Sequence, residues 1–312
     1  MDRPTGDMTT RVLPADARGI DAAIALLAAG QLVAAPTETV YGLAARADDA
    51  GAVARIYAAK GRPDFNPLIV HVGDASEAAT LVEIGTVAAR LMQRFWPGAL
   101  TLVLPAKRGA RVAAAVRAGL PTLAVRCPSH PIMQALIAGT GPLAAPSANR
   151  SGSLSPTRAE HVLESLGGRI PLILDAGPCA AGVESTIVAV DGEVVTLLRP
   201  GALTAERLGV VLAAAGSEIT APGQMASHYA PRQPLRMDAR TASLDEWHIG
   251  FGGVRGDRTL SASGNLDEAA AALFEALHEA QASGRTSIAV APIPDRGVGV
   301  AINDRLRRAA VR

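Results

Sequence analysis

The spacing of apolar positions along the chain switches repeatedly between helical and extended periods. Residues 19–30 are alanine-rich with apolar side chains at helical spacing and predict a helix ended by Gly30; residues 31–35 form a short apolar strand stopped by Pro36. A polar loop over 36–43 comes next. The pattern then predicts helices over 49–59 and 75–94, the second ended by Trp96-Pro97-Gly98, and strands over 68–72, 100–104 and 123–126. A helix near 131–138, the run Leu143-Ala144-Ala145 into Pro146, a helix over 157–166 and a strand over 170–174 continue the series. Residues 184–190 and 193–198 flank Asp191-Gly192, a two-residue hairpin signature. A hairpin set among alternating helices and strands predicts a mixed sheet covered by helices, not a purely parallel one.

After a helix expected near 204–215, residues 216–235 are rich in Gly, Pro, Ser and polar side chains and read as an ordered connector. The remainder predicts a helix over 266–282, strands over 287–291 and 247–251, and an arginine-rich helix over 302–311. The expected division is a catalytic unit over 1–215, a linker over 216–235 and a small α/β domain over 236–312. Composition agrees: 312 residues, 49% hydrophobic and 19% charged, are enough for two cores. A net charge of +1 gives no global attraction to nucleic acid. No apolar run is long enough to span a membrane, residues 1–10 do not resemble a signal peptide, and two cysteines make no disulfide scaffold. A cytoplasmic protein with reduced thiols is expected.

The chemistry is concentrated in three places. Lys60-Gly61-Arg62-Pro63 with Asn66-Pro67 and His71 sets a compact cation beside a forked one on a turning backbone, which suits a polyanion; a solvated basic turn is the equally weighted alternative. Pro146-Ser147-Ala148-Asn149 starts where an apolar strand ends, a common place for ligand-holding loops, while Ser155-Pro156-Thr157 also reads as a helix-capping segment. Arg126, Ser185-Thr186 and Arg199 stand beside apolar strands, where an arginine can reach either a ligand or solvent. Arg305, Arg307, Arg308 and Arg312 read as a solvated helix end. There is no Walker loop, dinucleotide fingerprint, nucleophile elbow or metal-ligand spacing.

These motifs together resemble the YrdC-like family, in particular its two-domain members. The matching text is Pro36-Thr37-Glu38-Thr39-Val40-Tyr41-Gly42-Leu43, Lys60 to Arg62 with Asn66 to His71, Phe95-Trp96-Pro97-Gly98, and Arg126 with Pro128-Ser129-His130-Pro131. Ala145 to Asn149, Gly182-Val183-Glu184-Ser185-Thr186 and Leu198-Arg199-Pro200-Gly201 match as well. The connector Pro222-Gly223 with His228-Tyr229-Ala230-Pro231, and Ala301 to Arg305, resemble the longer subfamily.

The resemblance implies a twisted mixed α/β sheet flanked by helices, a smaller Rossmann-like domain, and a linker that closes over the cleft. It also implies that L-threonine and bicarbonate form N-carboxythreonine, whose carboxylate attacks the α-phosphorus of ATP to give threonylcarbamoyl-AMP and pyrophosphate. Catalysis would then fall to Lys60, Arg62, Ser147, Asn149 and Arg199. The ATP side would use Arg62, Asn66, Thr122, Ser147, Ser155, Arg199 and Tyr229. The threonine side would use Thr39, His71, Arg126, Asn149 and Ser185. Mg²⁺ would be held mainly by ATP phosphates rather than by protein side chains. The product would serve a tRNA threonylcarbamoyl-transferase complex acting on adenosine 37, and a weak contact with tRNA or other double-stranded RNA stays open. A regulatory RNA module, the YrdC-like part of a hydrogenase maturation factor, and an ordinary kinase are the competing classes. Aromatic residues make up only 3% of the chain, which weighs against recognition of single-stranded bases by stacking.

Overall fold

The computed structural model describes residues 9–213, 221 and 228–311. Local signals set many of the element boundaries. Asp16 and Asp49 accept backbone N–H bonds at the starts of helices Ala17–Ala28 and Ala50–Lys60, and Asn265 caps Leu266–Ala282 in the same way. Helix Ala50–Lys60 stops at Gly61, whose φ of 60° is the left-handed conformation that terminates helices.

Eleven strands among the described residues form one mixed sheet. From one edge the order is Arg11–Pro14, Leu172–Asp175, Val33–Ala35, Gly42–Arg46, Leu143–Ala144 and Ile69–His71. It continues through Thr122–Arg126, Leu100–Pro105, Thr186–Asp191 and Val194–Arg199 to Leu212–Ala213 at the other edge. Val194–Arg199 pairs antiparallel with Thr186–Asp191 as the expected hairpin, whereas Thr186–Asp191 runs parallel to Leu100–Pro105. A second sheet of four strands, Leu235–Arg236, Ser287–Val290, Glu246–Gly250 and Arg258–Thr259, is parallel throughout and packs with helices Leu266–Ala282 and Gly299–Ala310.

The structure corrects four readings of the sequence. The helix expected over 75–94 is two, Ala75–Ala78 and Thr86–Phe95, because the intervening chain bonds to the strand end instead: Glu83 N–H donates to Pro105 O and Lys107 N–H to Leu81 O. The helix expected over 204–215 is only Ala205–Leu208, stopped by left-handed Gly209, and Leu212–Ala213 joins the sheet edge; residues 214 and 215 lie outside the described residues. The loop read over 36–43 ends in a strand, Gly42–Arg46, antiparallel to Val33–Ala35. The fourth is Arg305, which is wholly buried rather than solvated. Most of the connector, including Pro222-Gly223, lies outside the described residues, as does Arg312.

The units built on the two sheets meet closely through helices and loops. Gly182 has φ of 69°, and a Cβ there would stand 2.3 Å from Ala270 O, so only glycine allows this backbone approach. Arg158 pairs with Glu275 at 2.8 Å, and His161 stacks on His278 with ring centroids 3.7 Å apart. Burial, then the neighbouring His278 and Arg158, pushes His161 down to about 3, and burial also lowers His278. Both rings are therefore neutral in the folded protein while their unfolded counterparts titrate near 6.5. Stability is fully present above that value and is lost as pH falls below it. The thermal midpoint of a His161→Gln/His278→Gln variant should decline less between about pH 7 and pH 5 than that of the wild type. Equal declines in the two proteins would remove this pair from the pH dependence.

Candidate active site

Period-two alternation along the central strands builds the floor of a cleft. Val70, Leu102, Leu104, Leu123, Val125 and Val188 enter the main core, while Ile69, Val103, Ala124 and Ile187 form a thin layer on the opposite face. His71, Thr101 and Arg126 share that second face by parity. The first face is filled by the main core, while on the second the thin apolar layer gives way to polar side chains at the strand ends, where a cleft opens. The resulting cleft is roofed by His228 and Tyr229.

Short chain segments aim polar groups into it. Thr37 Oγ1 bonds to Val40 O and to Thr39 Oγ1, fixing the turn before Gly42–Arg46. Ser147 pairs across to Gly42, and Ala148 N–H donates to Tyr41 O, so the 146–148 segment lies against that turn. Gly201 lets the chain after Arg199 run flush with 184–186: a Cβ there would lie 2.4 Å from Glu184 O and Thr186 N. Arg199 in turn donates through Nε and Nη2 to Ser185 O, at 3.2 and 2.8 Å.

The electrostatics are dominated by buried cations. Lys60 is 2% exposed, and its Nζ donates to Ser147 O at 2.6 Å and Asn149 O at 2.5 Å. Burial, and then Arg62, holds it well below the usual lysine range. Arg62 donates to Asn66 O, Asn66 Oδ1 and Pro67 O, and burial lowers it to about 10. The neighbouring carboxylates are already taken: Glu38 by Arg126 at 2.5 Å, Glu184 by Arg305 at 2.7 Å. Burial opposes ionisation of both acids, yet their arginines hold them below the ordinary carboxylate range. Burial pushes His71 and His228 down to about 3, so neither imidazole adds charge. His71 Nδ1 and Tyr229 Oη are buried without hydrogen-bond partners among the described residues. Tyr229 has φ of 61°, a conformation costly for a non-glycine residue and most often kept at functional positions.

Of the residues singled out in the sequence, Thr39, Arg62, His71, Arg126, Ser147, Ser185, Arg199 and Tyr229 line this cleft together. Four others stand behind it. Lys60 supports the 147–149 carbonyls, and Asn66 orients Arg62. Asn149 Nδ2 ties down Arg150 O and Ser153 O, and Ser155 Oγ donates to Glu184 at 2.5 Å. Ser155 and Thr157 therefore do not cap the next helix; its N-cap is Arg158, which makes no side-chain cap bond. Thr122 has the parity of Arg126 but starts the strand, about 13 Å away along the sheet, and is not part of the enclosed lining. Sequence reasoning gave no role to Thr37, Glu38, Glu184, His228 or Arg305. All five lie inside the quoted motifs, and a lone carboxylate in an otherwise uncharged motif was the available signal for Glu38 and Glu184.

Comparison with known proteins finds relatives along nearly all of the chain. A Sua5–YciO–YrdC family model described as "Telomere recombination" matches residues 25–201, and one described as "Threonylcarbamoyl-AMP synthase, C-terminal domain" matches residues 196–311. The threonylcarbamoyl-AMP synthase of Bacillus subtilis is 42% identical, covering 92% of each chain. That of Pyrococcus abyssi is 39% identical over 90% of this chain and 91% of its own. The crystal structure of P. abyssi Sua5 complexed with L-threonine superposes with a TM-score of 0.87, 36% identity and 97% of both chains covered. A HypF structure shares the fold alone, at a TM-score of 0.53 and 23% identity over 59% of this chain.

If Lys60 works by holding the 147–149 turn rather than by touching a ligand, Lys60→Met should fold and weaken pyrophosphate binding by about tenfold, the scale of one or two lost hydrogen bonds. Calorimetric titration checks this, and unchanged affinity in the folded variant would assign Lys60 no part in the site.

Proposed function

The chain belongs to the Sua5–YciO–YrdC family, and on that premise we propose that the cleft forms threonylcarbamoyl-AMP and pyrophosphate from L-threonine, bicarbonate and ATP. The observation that carries this reading is the burial of Arg62, in no ion pair with a carboxylate among the described residues, in the same cleft as Ser147 and Arg126, with Lys60 buried behind the 147–149 turn. Buried positive charge without a counter-ion is costly unless an anion arrives to compensate it. A polyphosphate does so.

The residues divide into two ends. Arg62, Ser147 and Arg199, with Asn66 and Ser155 behind them and Tyr229 above, take the nucleotide, its ribose and base extending toward Thr122. Thr39, His71, Arg126 and Ser185 take threonine, with Asn149 supporting the boundary. Arg126 spends three of its five N–H groups on Gly98 O, Thr39 Oγ1 and Glu38, which leaves two for the substrate carboxylate. The neutral His71 ring and Thr39 are placed to recognise the threonine hydroxyl. A site that bonds this hydroxyl rejects valine by about 10⁴, but serine much less.

The amine of threonine adds to the carbon of bicarbonate, and water leaves. The new carbamate oxygen attacks the α-phosphorus of ATP, and the bond to pyrophosphate breaks. The attacking group is already an anion, so the step needs aligned reactants and fixed positive charge more than a strong base. Mg²⁺ would enter with ATP, held mainly by its phosphates. The product then serves a tRNA-modifying transferase complex acting on adenosine 37. No helix among the described residues is long and apolar enough to cross a membrane, and a cytoplasmic site of action belongs to the same proposal.

Pyrophosphate release should require ATP, threonine and bicarbonate together, with threonylcarbamoyl-AMP identified by mass. Release with a different amino acid would change the substrate, and no release with ATP still bound would refute the synthase reading. Arg199→Ala should lower the rate by at least about a hundredfold, as loss of a charged transition-state contact does, in a protein of unchanged circular dichroism. Normal turnover would displace Arg199 from the phosphate end.

A further inference from the structure

Arg305 comes from the second sheet's unit, on helix Gly299–Ala310, and is 0% exposed. Its Nε donates to Glu184 Oε2 at 2.7 Å, its Nη2 to Pro200 O at 2.9 Å and its Nη1 to the adjacent Asp304 at 2.6 Å. Its guanidinium carbon lies 5.1 Å from the centroid of the Tyr229 ring. Glu184 lines the cleft and immediately precedes Ser185, whose backbone oxygen holds Arg199. The other Glu184 oxygen accepts from Ser155 Oγ. One arginine therefore touches the acid of the cleft, the aromatic ring of its roof, and the carbonyl next to Arg199.

A buried carboxylate is an odd wall for a site that receives a polyphosphate. Left alone it would repel the ligand and compete with it for the cleft's guanidinium groups. Single charges matter more here than at a surface, because little water is present to screen them. Replacing Arg305 would also leave Glu184 buried without its main partner.

We propose that Arg305 is a positioning residue for the polyphosphate end of the cleft, supplied by the second domain. It neutralises and pins Glu184 so that the carboxylate neither repels the incoming anion nor captures the cations meant for it. By packing on Tyr229 it also joins the roof of the cleft to the same helix. This inference rests on the ATP reading above. It makes the second domain an electrostatic part of the site rather than an appendage to it.

The test measures ATP dissociation constants by calorimetry on the full-length chain. Arg305→Met should weaken ATP binding by at least about tenfold, because it uncovers a buried charge. Arg305→Lys, which keeps the charge, should stay within about threefold of wild type. Arg305→Met/Glu184→Gln should recover most of the lost affinity, since the uncompensated carboxylate is gone. A purely structural role predicts no recovery, because the neutral glutamine restores none of the packing lost with arginine. If Arg305→Met does not fold, the double variant decides: near-wild-type affinity supports the proposal, and a tenfold loss in the folded double variant overturns it. Equal losses in the lysine and methionine variants would also overturn it. Absence of ATP binding by the wild type would instead overturn the functional reading, and this inference with it.

Discussion

Positive charge held out of water is the constraint on which the rest of this structure depends. Lys60, Arg62, Arg126 and Arg199 are all buried around one cleft, where each would cost several kcal/mol if left without hydrogen bonds or counter-charge. The fold manages them in different ways. Lys60 is solvated by two backbone carbonyls, Arg62 by two carbonyls and an amide side chain, and Arg126 by a carboxylate. Burial lowers Lys60 well below its ordinary range and lowers Arg62 to about 10, so much of the desolvation cost remains in the absence of an anion. The site is thus complete only with its substrate.

Such a site has to be walled, and the walls come from the first sheet's unit and from the connector, which the second unit backs. The floor is the face of the central strands that carries Ile69, His71, Ala124 and Arg126, while the opposite face supplies the core that keeps those strands rigid. The roof comes from His228 and Tyr229, packed against Phe274 and Arg305 of the second unit. Gly182 and Gly201 permit two close backbone approaches, one between the units and one beside Arg199. Rigidity here serves the chemistry directly, since an in-line attack on phosphorus gains most from reactants already aligned.

Much of this was legible in the sequence, and the reasons it was are specific. Short apolar runs between Gly and Pro punctuation marked most central strands, and Asp191-Gly192 marked the hairpin that makes the sheet mixed. The helix Leu266–Ala282 was readable residue for residue. The failures share a cause: they concern segments whose hydrogen bonds go to distant partners. The chain between Ala78 and Thr86 leaves its helix to bond with residues near 105, and Gly42–Arg46 is held as a strand between Val33–Ala35 and the distant Leu143–Ala144. Thr39, Arg62, His71, Arg126, Ser147, Ser185, Arg199 and Tyr229, singled out by their motifs, line one cleft, whereas Thr37, Glu184 and His228 line it without having been singled out. Lys60, Asn66, Asn149 and Ser155 stand behind the lining in hydrogen bonds to neighbouring groups, a placement that depends on side-chain direction and not on spacing. Arg305 looked like any arginine on a charged helix, because nothing in its own neighbourhood reveals a carboxylate 121 positions away.

The most direct test of the account is whether a simple polyanion repays the cost of these buried cations. Thermal unfolding with and without inorganic pyrophosphate, in wild type and in Arg62→Met, measures that. The account predicts a midpoint several degrees higher with pyrophosphate in the wild type, the scale expected for a ligand near a hundred times its dissociation constant, and almost no shift in the variant. No shift in the wild type, or an equal shift in both proteins, would mean that the cleft cations are not waiting for a polyphosphate.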